Sequence, residues 1–202
     1  MSGFGRGGGF GGSDRGPLRG GDIESDLLVT LHEALNGAIR QLSLRRVDPK
    51  SAQEEADTFR VRIPRGATEG RLIRVPGKGQ AGLRGGSSGD LFLRVRLARH
   101  PDFRVKGHDL FYDLQLAPWE VVLGAAVRVP TLDGSVNLKI PAGSQTGQQL
   151  RVRERGLPAE GGTRGDLYAV LSVVTPSQID ADEAAVWRQL AEKSPFNPRR
   201  SA

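Results

Sequence analysis

The sequence predicts an all-β protein: two tandem, similar β-sandwich-like domains, a flexible glycine-rich N-terminal tail and a short C-terminal helix. Three observations lead there. From Asp22 onward the chain is written in short alternating runs closed by glycine or proline, the texture of strands. Those runs recur, in order, as a second copy. Only the segment after Pro176 carries apolar residues at helical spacing.

The head comes first. Residues 1–21 hold ten of the 28 glycines, with Phe4, Phe10 and Leu18 as the sizeable apolar side chains. Glycine has the most backbone entropy to lose on folding, so this stretch reads as a flexible tether. Its arginines (Arg6, Arg15, Arg19) stand singly, a thin version of an RNA-binding arginine–glycine segment.

Residues 22–104 form the first expected domain, with strands over 23–31, 38–47, 58–64, 71–76 and 90–98. Residues 105–176 form the second, with strands over 109–117, 125–130, 135–141, 148–152 and 166–174. In the final piece, residues 177–202, Val186, Trp187, Leu190 and Ala191 share one helical stripe, and Pro195 and Pro198 stop it. Either Ser177 with Asp180 or Asp180 with Glu183 fits the start of that helix.

The two copies match residue by residue. Gly20-x-Asp22, Asp26-Leu27, Glu33 and Gly37-Ala38 reappear 87 positions later as Gly107-x-Asp109, Asp113-Leu114, Glu120 and Gly124-Ala125. Ile63-Pro64-x-Gly66, Gly70, Arg74-Val75 and Gly79 return 77 positions later, and Gly89-Asp90-Leu91 returns 76 positions later. The separation shrinks because the first copy carries extra residues near Arg45–Asp57. The recurring residues have scaffold roles: Gly66/Gly143 and Gly70/Gly147 fall in turns that need positive φ, and the Ile-Pro pairs close a strand.

Composition excludes several chemistries. The chain has no cysteine, which removes disulfides, zinc–thiolate sites and thiol nucleophiles, and its three histidines (His32, His100, His108) are far apart. No run approaches the ~18 apolar residues of a membrane helix, and the first twenty lack a signal-peptide core. A cytoplasmic protein without metal or cofactor is expected. Gly77-x-Gly79-x-x-Gly82 imitates a dinucleotide fingerprint but leads into a strand, not a helix that could hold pyrophosphate. His100-Pro101-Asp102 follows the strand run LFLRVRLA and has no helix on either side, so it belongs to the joint between the copies. No nucleophile is paired with a base, and no enzyme is expected. The net charge of +6, with 24 arginines among 29 basic residues, permits binding of an acidic partner or of nucleic acid.

Taken together, the HPDFRVKGHDL joint, PWEVVLG, VPTLDG, IPAGSQTGQQLRVRERG and GDLYAVL resemble the C-terminal region of DnaJ-type J-proteins, in particular the zinc-free CbpA-like class. The likeness covers nearly the whole chain: the Gly/Phe head is similar to the linker that follows a J-domain, and the J-domain itself is missing. In zinc-finger J-proteins a cysteine module interrupts the first copy where this chain has Arg45–Asp57.

The resemblance implies a non-enzymatic co-chaperone fragment. It would hold unfolded, extended clients in an apolar groove of the first domain and deliver them to a DnaK-type chaperone. By position the groove residues are Ile23, Leu42, Leu44, Phe59 and Leu93. Leu42 and Leu44 form an i, i+2 pair on one sheet face, and Phe59 alternates with Val61 and Ile63, a pattern that fits a buried core equally well. The ending implies a homodimer with Val186, Trp187, Leu190 and Phe196 at its seam. Two further roles stay open: non-specific DNA binding, which would place the protein at the nucleoid, and reception of the acidic tail of a DnaK-type chaperone by Arg60, Arg62, Arg94 and Arg96.

Overall fold

The computed structural model describes residues 16–47, 54–159 and 162–199. The expected tether over residues 1–15 and the middle of the extra stretch, residues 48–53, lie outside them.

Alternation becomes a two-layer arrangement in each copy. In the first, β1 (Ile23–Val29) turns Leu27 and Val29 inward and Glu24, Asp26 and Leu28 outward. It runs parallel to β5 (Leu91–Leu97), which buries Leu91, Leu93 and Val95, and β4 (Leu72–Val75) pairs antiparallel on the far side. The second layer is an antiparallel ribbon of β2 (Ala38–Val47) and β3 (Glu54–Ile63), so the strands extend well into the extra stretch. In the second copy β7 (Asp109–Leu116), β11 (Leu167–Val173) and β10 (Gln149–Val152) repeat the first layer, and the ribbon is β8 (Ala125–Thr131) with β9 (Gly134–Ile140). Buried leucines, isoleucines and valines of both layers make the core.

Three elements differ from expectation. Strand runs 23–31 and 109–117 end early, in α1 (Leu31–Asn36) and α2 (Pro118–Leu123). Six residues show less than two turns of periodicity, which is why spacing missed them. The capping signals were present: Thr30 and Glu33 form a capping box over α1, and Pro118 with Glu120 opens α2. The third is an added strand within the joint, β6 (Phe103–Lys106), antiparallel to β7. The last helix, α3 (Ala181–Lys193), starts at Asp180, whose carboxylate accepts from the Glu183 N–H at 2.7 Å. His100-Pro101-Asp102 lies between β5 and β6, and the next element after Gly82 is β5, not a helix.

The end of the expected tether is pinned. Leu18 and Leu83 exchange backbone hydrogen bonds of 3.0 and 2.9 Å, and Arg19 reaches Asp22 and Asp90 at 3.0 and 3.1 Å. Between the copies, Gly66 (φ +73°) packs so tightly that a Cβ there would lie 2.3 Å from the Pro158 carbonyl oxygen.

Each copy is also locked by a carboxylate frame. The Asp22 carboxylate accepts the Asp90 N–H at 2.7 Å; Asp90 in turn accepts from the Gly77 N–H at 2.8 Å and the Arg74 guanidinium at 2.9 Å. In the second copy Asp109, Asp166, the Glu154 N–H and Arg151 repeat these bonds at 2.7, 2.9 and 2.6 Å. The Gly77 N–H, and then Arg74, hold the Asp90 carboxyl below the usual carboxylate range; the Glu154 N–H and Arg151 do the same for Asp166.

Candidate functional site

Comparing the copies isolates one place where they are not alike. In the second, β7 has β11 on one side and β6 on the other. In the first, β1 has β5 on one side, and among the described residues no strand lies on its other side. The segment that would fill it by the 87-residue correspondence is 16–19, and Leu18 is bonded to Leu83 instead. Among the described residues, the Glu24 and Asp26 backbone groups on that margin therefore have no strand partner.

The ribbon lies over this margin. The Arg40 guanidinium donates to the Leu28 carbonyl at 2.8 Å and forms a two-pronged pair with Glu33 at 2.6 and 2.7 Å, tying the start of β2 to the end of β1. Burial alone would push the Glu33 carboxyl up, but the Thr30 N–H and Arg40 bring it net below its ordinary value. At the other end Lys78, after β4, bonds Asp57 of β3 at 2.7 and 3.0 Å, its ammonium 5.4 Å from the centre of the Phe59 ring. These two anchors tie the ribbon to the first layer at both ends.

The expected groove residues divide accordingly. Leu42 stands opposite Phe59 in the ribbon register, and both, with Ile23, are partly buried against the core. Leu44, opposite Asp57, is also partly buried. Leu93 is only 4% exposed, so it belongs to the core rather than to the surface. The repeat sharpens the contrast: Ile23, Leu42 and Leu44 correspond to Leu110, Val129 and Thr131, which are 0, 0 and 8% exposed. In the second copy β6 lies alongside, its buried Phe103 ring 5.8 Å from Tyr112, and Leu132 tucks inward at the ribbon turn beside Asp133, which Arg164 holds at 2.7 Å. In the first copy the ribbon runs on past Leu44 and has no such plug among the described residues.

Sequence reasoning missed Ser25, Arg40 and Lys78. Ser25 is exposed on the inward-facing register of β1 between Ile23 and Leu27. Arg40 could have been found by its mismatch with Val127, its partner in the repeat.

Of the arginines considered for an acidic tail, Arg94 is held by Glu24 and Arg96 by Asp26 and Glu69. Arg60 and Arg62 are exposed on the outer face of the ribbon.

A second surface gathers at the C-terminal end. The Trp187 ring meets the Trp119 ring of α2 at 6.4 Å and donates its indole N–H to Glu183 at 3.1 Å. Around them Val186, Leu190, Phe196, Val122 and Leu123 are all more than half exposed. Trp119, Val122 and Leu123 were not among the expected seam residues. Among the described residues no helix is long and apolar enough to cross a membrane, and no cluster of side chains is arranged to hold a metal ion.

The comparisons agree with one another. Residues 23–176 match the family described as DnaJ C terminal domain. A "Curved DNA-binding protein" of Pseudomonas putida F1 is 47% identical over 185 residues, covering 90% of this chain and 58% of that protein. Proteins of the same name from Pseudomonas syringae pv. tomato and from Coxiella burnetii RSA 493 are each 45% identical, covering 94% and 90% of this chain and 62% and 59% of their own lengths. The chain thus spans about three fifths of these curated relatives.

Proposed function

The chain belongs to the DnaJ C-terminal domain family, and from that premise we propose that it is the client-holding part of a cytoplasmic co-chaperone. Extended segments of unfolded polypeptides would bind beside β1 and β2 of the first copy and be passed to a DnaK-type chaperone. One observation supports this above the rest. The strand margin that β6 covers in the second copy has no strand on it among the described residues of the first, and Ile23, Leu42 and Leu44 are partly exposed where their counterparts are sealed.

The chemistry suits clients with no common sequence. Main-chain donors and acceptors recognise any extended backbone, while a shallow apolar pocket takes one or two large side chains. Each such side chain contributes about 1.5–3 kcal/mol before the loss of freedom on binding is subtracted, so single sites are weak. A homodimer through the α2–α3 surface would present two of them and gain by local enrichment. The binding described needs no catalytic group.

The test is aggregation of a chemically denatured reporter protein without ATP. The chain is expected to suppress it, and the Leu42→Ser/Leu44→Ser double variant to lose most of that protection while keeping its circular dichroism spectrum. Full protection by the folded double variant would reject the assignment.

DNA binding is a second reading, favoured by the +6 net charge and by the name its relatives share. It would use a different surface.

A further inference from the structure

We propose that the outer face of the β2–β3 ribbon is a docking surface for the sugar–phosphate backbone of duplex DNA; this rests on the second reading above. The ribbon register separates its two faces. Pairs Ala38–Ile63, Arg40–Val61, Leu42–Phe59 and Leu44–Asp57 face the core layer. Pairs Ile39–Arg62, Gln41–Arg60, Ser43–Thr58 and Arg45–Ala56 face outward, and every one of these outward residues is exposed.

That outward face contains no carboxylate from Ile39 to Arg45 or from Ala56 to Arg62. Among the described residues, Arg45, Arg60 and Arg62 make no ion pair or side-chain hydrogen bond. Elsewhere on the strands the exposed arginines are engaged: Arg94 with Glu24, Arg96 with Asp26 and Glu69, Arg104 with Asp113. Three guanidinium groups without a carboxylate partner among the described residues therefore share one face of a single ribbon.

Their placement fits a polyanion with regularly spaced charges. Arg60 and Arg62 are two residues apart on one strand, roughly 7 Å, and Arg45 lies across from Ala56, roughly a further 14 Å along the ribbon. The hydroxyls of Ser43 and Thr58, hydrogen-bonded to each other at 3.1 Å, and the Gln41 amide fill the space between with groups that also bond phosphate. A two-stranded ribbon has the width that the major groove of B-DNA admits. An acidic peptide would take the same charges, and a cleft lined by Ile39, Arg62, Pro64 and Arg65 at one end of the ribbon would admit one of its side chains. The spacing of the three guanidinium groups along the ribbon, with polar groups between them, suits a continuous backbone of phosphates better. The second copy has a shorter and less basic version of this face: Lys139 stands in place of Arg62 and Arg128, bonded to Ser135, in place of Gln41, but Asn137 and Leu132 replace Arg60 and Arg45.

Anisotropy of a short labelled DNA duplex of mixed sequence, titrated with the chain over a salt series, tests the assignment. The wild-type chain should bind with a steep salt slope. The Arg45→Gln/Arg60→Gln/Arg62→Gln variant should bind at least about tenfold more weakly at low salt, with the slope of log K against log salt flattened by about 2–3. Replacing the three by lysine should restore binding, and the charge-matched Arg94→Gln/Arg96→Gln/Arg104→Gln variant should retain the wild-type slope. An unchanged slope in the glutamine variant, or an equal loss in the charge-matched one, would overturn the ribbon assignment while leaving DNA binding standing. No binding by the wild-type chain at low salt would overturn both. Binding of a poly-glutamate peptide with no binding of the duplex would assign the face to an acidic protein instead.

Discussion

Asp90 and Asp166 occupy the same hydrogen-bonded frame 76 residues apart, each accepting a backbone N–H from the turn before its strand and an arginine from the strand that pairs with it. Their N–H groups in turn donate to Asp22 and Asp109. Both carboxyls are held below their ordinary range, so the folded chain binds fewer protons there than the unfolded one. Their stabilisation is complete above the unfolded carboxylate value, near pH 4, and is lost as the pH falls through the lower folded values. Urea midpoints are expected to be level from neutral pH down to about 5 and to fall below about 4. The Asp90→Asn and Asp166→Asn variants should be less stable at neutral pH and show a shallower acid limb. An identical acid limb in both variants would show that other carboxylates carry it.

Gly66 should not tolerate a side chain. An alanine there takes a positive φ at a strain of about 1–3 kcal/mol, and its Cβ meets the Pro158 carbonyl, a fixed backbone atom. Gly66→Ala is expected to lower the melting temperature by several degrees and to loosen the contact between the copies, read as faster proteolysis near Pro158. Gly143→Ala, at the repeat position with open space around it, carries the strain alone and should cost less.

Phe103→Ala should weaken the second copy. The ring is 6% exposed and contacts both His100 and Tyr112, so truncation is expected to cost about 3–5 kcal/mol and to free β6 from β7. Hydrogen exchange should accelerate at Asp109 and Phe111, whose amides face β6, before the rest of the sheet. Equal exchange in the variant would mean that β6 is held by its backbone bonds alone.

The exposed apolar surface on α2 and α3 makes a prediction for assembly. The Leu190→Ser/Phe196→Ser variant should sediment as a monomer at concentrations where the parent chain is dimeric, with a dimer dissociation constant raised at least about tenfold. A parent chain that sediments as a monomer at every concentration would remove the homodimer from the proposal.

How legible was all this in the residues? The strands were, because one face of each is buried and alternation records that directly, as in Leu91, Leu93 and Val95. The frames around Asp90 and Asp166 were visible as repeated residues without their geometry. β6 was hidden by its shortness: Phe103 to Lys106 shows two alternations inside a stretch that reads as a joint. The candidate site was only half legible. An i, i+2 pair such as Leu42 and Leu44 has the same pattern whether sealed or exposed, and only its comparison with Val129 and Thr131 in space tells the two apart.

The margin of β1, without a strand neighbour among the described residues, has an effect beyond clients. A bare strand margin does not distinguish a foreign chain from a sister molecule, so concentrated stocks are disposed to stitch themselves together through that rim. Glu24 and Asp26 alternate along it, but Arg94 and Arg96 of β5 pair with them, which leaves little like-charge repulsion against such pairing. Self-assembly would then compete with cargo for the same few amides.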